Sequence, residues 1–197
     1  MTKTMNQTGY FIHETSVADD GCHIGEGTRV WHFCHIMAGA RIGKDCSLGQ
    51  NVMVAADVVL GDNVKVQNNV SIYTGVTLGD HVFLGPSCVF TNVLHPRSAV
   101  DRKEQFSKTN VGEGATIGAN ATVVCGHDIG KFAFIGAGAV VTKTVPDYAL
   151  VMGNPARQTG WVSEYGHALA FDWNGHATCP ESRQEYRLEN NKVSRIK

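Results

Sequence analysis

The chain of 197 residues contains no apolar run approaching the ~18 residues of a membrane-spanning helix, and its first ten residues are largely polar. We therefore expect neither a signal peptide nor a membrane span, and we predict a cytoplasmic protein. An excess of one charge is also missing, since the formal net charge is −1. This balance excludes a general attraction for nucleic acid or anionic lipid, so any anionic ligand must be bound by local charges.

The six cysteines include no C-x-x-C pair, which argues against both a zinc knuckle and a disulfide framework. Four of them fall at one position of the repeat described below, namely Cys22, Cys34, Cys46 and Cys88. We expect these thiols to be packing residues, and we predict no metal site.

What the sequence does contain is an apolar residue at every sixth position. The first run is Ile12, Ala18, Ile24, Val30, Ile36, Ile42, Leu48, Val54, Leu60, Val66, Ile72, Leu78, Leu84 and Phe90, and the second is Val111, Ile117, Val123, Ile129, Ile135 and Val141. An α-helix would spread such residues around its circumference, because six residues at about 100° each advance by about 240°. Strands fit the period if the chain turns once per unit and keeps the first position facing one axis. The pattern predicts a solenoid.

The fifth position of each unit is also small or apolar, so the interior is lined twice per unit. His127 is the exception, and its register predicts a buried, structural histidine. Val111 follows Phe90 by 21 residues where one unit would use six, so about fifteen residues leave the solenoid as a loop near 91–110. We divide the chain into a lead-in (1–11), the solenoid (12–146) and a C-terminal tail (147–197). In the tail we predict a short helix over 157–169 and short strands around turns at 173–175 and 189–191.

Several stretches resemble the hexapeptide-repeat acyltransferases, namely RVWHFCHIMAGARIG, LGQNV, VQNNVSIY, TNVLHPRS and VPDYALVMGNPARQTGW. They are most similar to the UDP-2-acetamido-3-amino-2,3-dideoxyglucuronate N-acetyltransferases of surface-polysaccharide (O-antigen and lipopolysaccharide) synthesis. The resemblance implies an all-β, left-handed parallel β-helix with three repeats per coil, although parallel crossovers are otherwise nearly always right-handed. It also implies acetyl-CoA as co-substrate, a UDP-linked 2-acetamido-3-amino-2,3-dideoxy uronic acid as acceptor, and a homotrimer with active sites between subunits.

With three units per coil, residues 18 apart stack, and polar side chains then form columns. One column is His32, Gln50 and Asn68, and the next is Phe33, Asn51 and Asn69. Such columns suit a hydroxyl-rich ligand such as a sugar nucleotide, and the alternative is an amide ladder that caps the coils or meets a neighbouring subunit. The predicted substrate-binding residues are Arg29, Trp31, Gln50, Gln67, Asn69, Tyr73, His95 and Arg97. Arg97 suits a substrate carboxylate or phosphate, and its loop is locally basic.

Small residues replace the amides beyond the loop and leave a flat track on the same face. The resemblance implies that the pantetheine arm of CoA lies on this track, although glycine is also used for turns alone. The implied cofactor-binding residues are Gly118, Ala119, Gly136, Ala137, Lys143, Asn154, Pro155 and Arg157. The two cations suit the phosphates of CoA, with solvated surface charge as the alternative.

The expected chemistry is direct attack of an amine on a thioester in a ternary complex, which depends mainly on proximity and on polarising the carbonyl. Asn92, where the loop leaves the solenoid, is the leading candidate to orient the amine or the thioester, and its alternative role is a turn residue. His32 is predicted to contact the substrate first and to act as a base second, with His95 as a rival. The CoA sulfur is an alternative proton acceptor.

Rival functions come from other classes. A γ-class carbonic anhydrase uses this fold with three metal-binding histidines, but the sequence has no His-x4-His pair. A purely structural solenoid leaves the amide columns and the basic loop unexplained. A sugar or serine O-acetyltransferase requires an indispensable histidine. N-acetylation of a dTDP-3-amino-6-deoxy sugar is the nearest alternative, because the sequence does not select the nucleobase.

Overall fold

The computed structural model describes residues 9–197, and its strands form a parallel β-solenoid. Each coil contains three short strands. The first four coils comprise β1 (Phe11–Ile12), β2 (Val17–Ala18), β3 (His23–Ile24), β4 (Arg29–Val30), β5 (His35–Ile36), β6 (Arg41–Ile42), β7 (Ser47–Leu48), β8 (Met53–Val54), β9 (Val59–Leu60), β10 (Lys65–Val66), β11 (Ser71–Ile72) and β12 (Val76–Leu78). The predicted lead-in falls largely on residues 1–8, which lie outside the described residues.

The later coils continue the same winding. They comprise β13 (Phe83–Leu84), β14 (Val89–Phe90), β15 (Thr109–Val111), β16 (Thr116–Ile117), β17 (Thr122–Val123), β18 (Phe134–Ile135) and β19 (Val140–Val141), and β20 (Ala149–Met152) begins an eighth coil. In the sixth and seventh coils the third side is reduced to isolated bridges at Ile129 and Val145.

The register of the strands confirms the stacking predicted from the sequence. Successive coils pair in parallel at an offset of 18 residues, as in Arg29 with Ser47 and Ser47 with Lys65. The second residue of each of these strands points inward, and Leu48 and Val66 are at most 1% exposed. The apolar core predicted from the repeat is therefore confirmed from the second coil onward, whereas Ala18 in the first coil is exposed.

The core cysteines behave as packing residues. Cys34, Cys46 and Cys88 are buried. Burial raises the pKa of the Cys88 thiol to about 12. A thiol in this state is neither a nucleophile nor a metal ligand at neutral pH.

The strands form three sheets, so the solenoid is a triangular prism with three edges. Sheet A begins with β1, β4 and β7, sheet B with β2, β5 and β8, and sheet C with β3, β6 and β9. We name the turns between sheets A and B the A–B edge (31–33, 49–51, 67–69, 85–87, 118–120 and 136–138) and those between sheets B and C the B–C edge (37–39, 55–57, 73–75, 91–108, 124–128 and 142–144). Sheet B separates the two edges.

The predicted loop leaves the solenoid at the B–C edge, and we call residues 91–108 the excursion. Leu78 pairs with Val111, an offset of 33 residues where other coils use 18, so fifteen residues are inserted as predicted. Backbone hydrogen bonds close its base, from Ser107 N to Asn92 O (2.9 Å) and from Gly126 N to Lys108 O (3.1 Å). Within residues 9–197 the helical content is limited to the short 3-10 helix Lys103–Gln105 in this loop, so no helix there spans a membrane.

The helix predicted over 157–169 is wrong, because Arg157–Trp161 forms strand β21, antiparallel to β20. Thr159 and Gly160 are poor helix formers, whereas pairing satisfies the backbone groups that β20 would otherwise leave open at the end of sheet A. The predicted short strands of the tail are present as β22 (His176–Thr178), β23 (Glu185–Glu189) and β24 (Lys192–Arg195). Asn190 and Asn191, both with positive φ, form the two-residue turn between β23 and β24.

A polar network fastens this three-stranded tail sheet to the end of the solenoid. Arg195 Nη1 lies 2.7 Å from Glu164 Oε2, and the Tyr148 hydroxyl donates to Glu164 Oε1 at 3.1 Å. Tyr186 is fully buried, and its hydroxyl accepts from the Glu164 backbone N–H at 2.9 Å. Burial, followed by the charge of Glu164, raises the pKa of Tyr148. The tail therefore covers the last coil through specific contacts.

Cys179, for which the sequence suggested no role, lies in this tail and is fully buried. Burial alone raises the pKa of its thiol. Hydrogen bonds from the Ser163 and Ser182 hydroxyls and from backbone groups of Ser182 and Glu181 outweigh that effect and lower the pKa to about 7.

Candidate active site

The amide columns on the A–B edge are in part a structural ladder. Asn51 Nδ2 donates to Asn69 Oδ1 at 3.1 Å, and Asn68 Oδ1 accepts from the Gln50 backbone N–H at 2.9 Å. Asn51 and Asn69 also have φ values of 60° and 61°, a left-handed conformation that asparagine tolerates well. The structural alternative left open by the sequence therefore accounts for one amide atom of each asparagine, and the Nδ2 of Asn69 has no partner within residues 9–197.

Gln50 and Gln67 differ from the asparagines. Within residues 9–197 their side-chain amides take part in no hydrogen bond, and Gln50 is exposed. Both amides are available to a ligand at the A–B edge, as predicted for substrate-binding residues.

An aromatic cluster lies at the start of the same edge. The Trp31 ring is 5.5 Å from that of Phe11, and the His32 ring is 3.6 Å from that of His13. Trp31 is 40% exposed, and Arg29 is exposed on the outer face of β4. The exposed indole provides a surface for ring stacking, and the exposed guanidinium provides a cation. Together they suit a ligand that carries both an aromatic ring and a negative charge.

The predicted residues of the B–C edge lie around the base of the excursion. Tyr73 is 40% exposed in the coil before it. Asn92 is half-buried, and within residues 9–197 its side-chain amide has no hydrogen-bond partner. His95 and Arg97 are exposed on the excursion, and Arg97 Nη1 donates to the Pro96 carbonyl at 2.9 Å. The Asn92 amide is therefore free to bind a ligand, which a turn-forming asparagine would not be.

His32 and Asn92 do not share a site within one chain. His32 lies on the A–B edge of the second coil and Asn92 on the B–C edge of the fifth. Three coil spacings of ~4.8 Å separate them by about 14 Å along the solenoid axis. A base must lie within hydrogen-bond reach of the proton it removes, so His32 does not serve as the base for an amine held at Asn92 of the same chain.

Most residues implied for the cofactor follow one line. The pairs Gly118–Ala119 and Gly136–Ala137 lie on the A–B edge of the sixth and seventh coils, and Asn154 and Pro155 continue that edge after β20. The Ala156 N–H donates to the Val140 carbonyl at 2.8 Å, which holds the segment against β19. These residues form a continuous line across three coils, on which Ala137, Asn154 and Pro155 are exposed, Gly118 and Ala119 are partly buried, and Gly136 is buried.

Coil packing requires glycine more strictly at position 118 than at position 136. A Cβ on Gly118 would lie 2.5 Å from the backbone nitrogen of Ala137, so close stacking of the coils alone requires glycine there. A Cβ on Gly136 would meet the Met152 side chain at 2.7 Å, and a side chain can move. Gly118 is thus weak evidence for a cofactor.

The two cations assigned to CoA lie apart from each other. Lys143 is on the B–C edge of the seventh coil, whereas Arg157 begins β21 at the end of sheet A, with Nη1 donating to the Ala156 carbonyl at 2.9 Å. Both are exposed, and neither forms an ion pair within residues 9–197.

His127, expected to be buried, is instead half-exposed on the B–C edge. Cys125 is buried in its place, and its backbone N–H donates to Thr91 Oγ1 at 3.0 Å. This bond and the one between Gly126 and Lys108 tie the turn to the base of the excursion, which shifts the inward position by two residues. Among residues 9–197 no group of three His, Cys, Asp or Glu residues is placed to hold a metal ion.

The repeats match two family models. One, described as bacterial transferase hexapeptide (six repeats), matches residues 21–56 and 57–92. The other, described as hexapeptide repeat of succinyl-transferase, matches residues 39–74 and 108–143. Together they cover more than half of the chain. The chain belongs to the hexapeptide-repeat transferase family. Its solenoid is accordingly the left-handed β-helix of that family.

This hexapeptide-repeat transferase is similar to proteins that act on different acceptors. It is 44% identical over 93 residues to a dTDP-3-amino-3,6-dideoxy-alpha-D-galactopyranose 3-N-acetyltransferase of Aneurinibacillus thermoaerophilus, covering 47% of each chain. It is 38% identical over 85 residues to a galactoside O-acetyltransferase of Lactococcus lactis, covering 42% of this chain and 41% of the relative. The chain therefore spans less than half the length of these curated relatives.

Among solved structures, this hexapeptide-repeat transferase is similar to the acetyltransferase domain of PglB from Neisseria gonorrhoeae. The TM-score is 0.52 at 25% identity, and the match covers 76% of this chain and 57% of that chain. The matched fraction exceeds the part of the chain covered by the family models, so the likeness extends beyond the repeats.

Proposed function

We propose that this chain is an acetyl-CoA-dependent N-acetyltransferase that acts on the 3-amino group of a nucleotide-linked amino sugar. The observation that carries the proposal is the free side-chain amide of Asn92 at the base of the basic excursion. The 44% identity to a sugar 3-N-acetyltransferase supports an amine as the acceptor. We further propose a UDP-linked 2-acetamido-3-amino-2,3-dideoxy uronic acid as the substrate, within surface-polysaccharide synthesis in the cytoplasm.

The reaction needs alignment more than acid–base power. The amine nitrogen attacks the acetyl carbonyl carbon, a C–N bond forms as the C–S bond breaks, and CoA leaves as the thiolate. The amine proton passes to that sulfur or to a histidine such as His95 on the excursion. Asn92 orients the amine or the thioester carbonyl by hydrogen bonds, a positioning effect that lowers the barrier without a strong base.

The same proposal includes a homotrimer with sites between subunits. The track of small residues lies on the A–B edge, whereas Asn92 and Lys143 lie on the B–C edge, with sheet B between them. One copy presents its track to the excursion of the next, so that CoA and sugar are enclosed by two chains. His32, Trp31 and Gln50 then contact the nucleotide end of the substrate, away from the amine. A monomer in light scattering that retained full activity would contradict this assembly.

Two alternatives have their own support. Similarity to the dTDP-sugar enzyme supports a dTDP-3-amino-6-deoxy acceptor, for which a C6 carboxylate is absent. Similarity to the galactoside enzyme supports O-acetylation, which requires a histidine to activate a hydroxyl. Arg97 and Arg102 on the excursion form no ion pair within residues 9–197, which favours an acceptor whose sugar carries a carboxylate over both alternatives.

A four-substrate assay tests the proposal. Purified protein and acetyl-CoA are mixed with 3-amino sugars linked to UDP or dTDP, each with a C6 carboxylate or a C6 methyl group, and CoA release and product mass are measured. We expect the highest kcat/KM for the UDP-linked uronate. Turnover of only the dTDP-linked 6-deoxy sugar selects the first alternative. In a parallel assay with a galactoside as acceptor, turnover of the galactoside alone selects the second. Absence of acetyl-CoA binding in calorimetry rejects an acetyltransferase.

A further inference from the structure

The excursion contains a small cavity of its own. Its volume is about 370 Å³, and its walls are formed by Val93, Pro96, Arg97, Ser98, Val100 and Arg102. The Val100 N–H donates to the Arg97 carbonyl at 3.1 Å, which folds the tip of the loop into a tight turn around it. Two of the six lining residues are cationic and none is acidic.

One donor at this cavity is buried without a partner. The Nε–H of Arg102 is shielded from solvent and has no hydrogen-bond acceptor among residues 9–197. A charged donor that loses water without gaining an acceptor is destabilising, and native proteins rarely retain one without a reason. The carboxylate of neighbouring Asp101 does not supply the acceptor, and its Oδ1 instead accepts from the Lys103 backbone N–H at 2.9 Å.

The rest of the Arg102 guanidinium is oriented by the loop. Its Nη1 donates to Gln105 Oε1 at 2.8 Å, and the 3-10 helix that begins at Lys103 holds Gln105 in place. Nη1 lies on the Cδ side of the guanidinium, so this bond leaves the opposite edge, formed by Nε and Nη2, without an acceptor. That edge presents two parallel N–H donors at the spacing of the two oxygens of a carboxylate.

We infer that Arg102 determines acceptor specificity by binding the carboxylate of a uronic acid through its Nε and Nη2 donors, with Arg97 as a second cation lining the same cavity. The inference rests on the proposed function and deepens it, because it assigns the group that distinguishes a uronate from a neutral sugar. The sequence suggested Arg97 or Arg29 for this role. Arg97 is exposed and donates to a carbonyl of its own loop, whereas Arg29 lies on β4 in the second coil.

The position of the cavity suits one pyranose ring. Val93, which lines it, directly follows Asn92 in the chain, so the cavity and the residue proposed to orient the amine belong to the same part of the excursion. The amine at C3 and the carboxylate on C5 belong to the same ring. The inference thus requires a single sugar to place its amine at Asn92 and its carboxylate at Arg102.

The first experiment measures binding without any acetyl transfer. Calorimetry compares UDP-glucuronate, UDP-glucose and UDP, none of which carries an amine. The unsubstituted enzyme should prefer UDP-glucuronate to UDP-glucose by about tenfold or more, as expected for a desolvated, charge-assisted pair. Arg102→Met should remove this preference and leave the affinity for UDP unchanged. Lys103→Met, which removes the same charge from the adjacent residue outside the cavity, should retain the preference.

Several results would overturn the inference. One such result is that Arg102→Met retains the preference for UDP-glucuronate. Another is that it weakens the binding of all three ligands equally, which would assign Arg102 to phosphate binding or to the loop structure. If thermal unfolding shows that Arg102→Met misfolds, Arg102→Lys decides, because lysine keeps the charge but not the two-donor edge. Loss of the preference in Arg102→Lys supports the inference, and its retention contradicts it.

The second experiment separates this inference from the proposed function. With the 3-amino sugars, Arg102→Met should lower kcat/KM for the uronate about 30-fold or more and that for the neutral sugar about threefold or less. If no amino sugar is acetylated while UDP-glucuronate is still preferred, the proposed function fails and the carboxylate site stands. If both amino sugars are acetylated and Arg102→Met lowers kcat/KM equally for both, the proposed function stands and the carboxylate site at Arg102 is rejected.

Discussion

Substitution of Gly118 by alanine separates coil stacking from cofactor binding on the A–B edge. The added Cβ would lie 2.5 Å from Ala137 N and 2.7 Å from Gly136 C, both backbone atoms of the next coil. Overpacking of this kind costs about 1–3 kcal/mol, because neither coil can move without disturbing the ladder of strands. For a chain of this length the loss corresponds to a fall in Tm of about 2–12 °C.

The assay combines thermal unfolding with calorimetric titration of acetyl-CoA into the folded variant. If stacking is the reason for glycine, Gly118→Ala should lower Tm by this amount, and the folded fraction should bind acetyl-CoA within about twofold of the original affinity. Gly160→Ala is the matched control, since no heavy atom lies within 4 Å of its added Cβ. We expect its effect to stay within about 0.5 kcal/mol. An unchanged Tm together with weakened acetyl-CoA binding would refute the stacking argument and assign Gly118 to the cofactor.

Four further substitutions test other parts of the molecule. Asn92→Ala should lower kcat about 10²-fold through loss of alignment, and wild-type kcat in this variant would remove Asn92 from the mechanism. His32→Asn should cost less than the ~10²-fold typical of a lost general base, and abolished turnover with both ligands still bound would identify His32 as the base. The pKa of Cys179 is about 7 in the folded protein and ~8.5 when unfolded, so its stabilising effect is complete above the unfolded value and is lost as pH falls through 7. Urea unfolding should therefore show stability rising from pH 7 to ~8.5, and Cys179→Ser should flatten that rise. Arg195→Met should destabilise the tail by about 1–3 kcal/mol, because the half-buried Glu164 carboxylate loses its cation, and a double substitution with Glu164→Gln should recover part of the loss.

The solenoid was predictable because the geometry of its coils determines which positions of the repeat must be apolar. Every aliphatic residue at the first position must face the common axis, and the 18-residue offset between Ser47 and Lys65 follows from three units per coil. The length of the excursion followed from the same count. At the two-residue turn, Asn190 and Asn191 tolerate positive φ, so the hairpin of the tail was also readable.

Features that depend on contacts between distant segments were not predictable. His127 has the register of a core residue, but the contact between Thr91 and Cys125 displaces it, and no local pattern records that contact. The helix expected after Pro155 failed for a similar reason, because the open edge of β20 decided the conformation of β21.

For the candidate site, the sequence supplied candidate residues but not their arrangement. Face-by-face comparison found the polar columns and the excursion, yet it did not show that sheet B separates Asn92 from the small-residue track. The sequence marked the loop as locally basic but did not single out Arg102. Its significance lies in a buried Nε, which depends on the folded loop and has no signature in the sequence.

The fifteen inserted residues return the chain to the lattice of coils in register, since Leu78 pairs with Val111 as Leu60 pairs with Leu78. The register of the strands on either side of the insertion therefore does not depend on its length. Doubling such a loop costs only ~0.6 kcal/mol of closure entropy. Loops of other lengths and sequences can therefore be grafted between Phe90 and Thr109. Under the proposed function, such a graft would change the acceptor preference without redesign of the core.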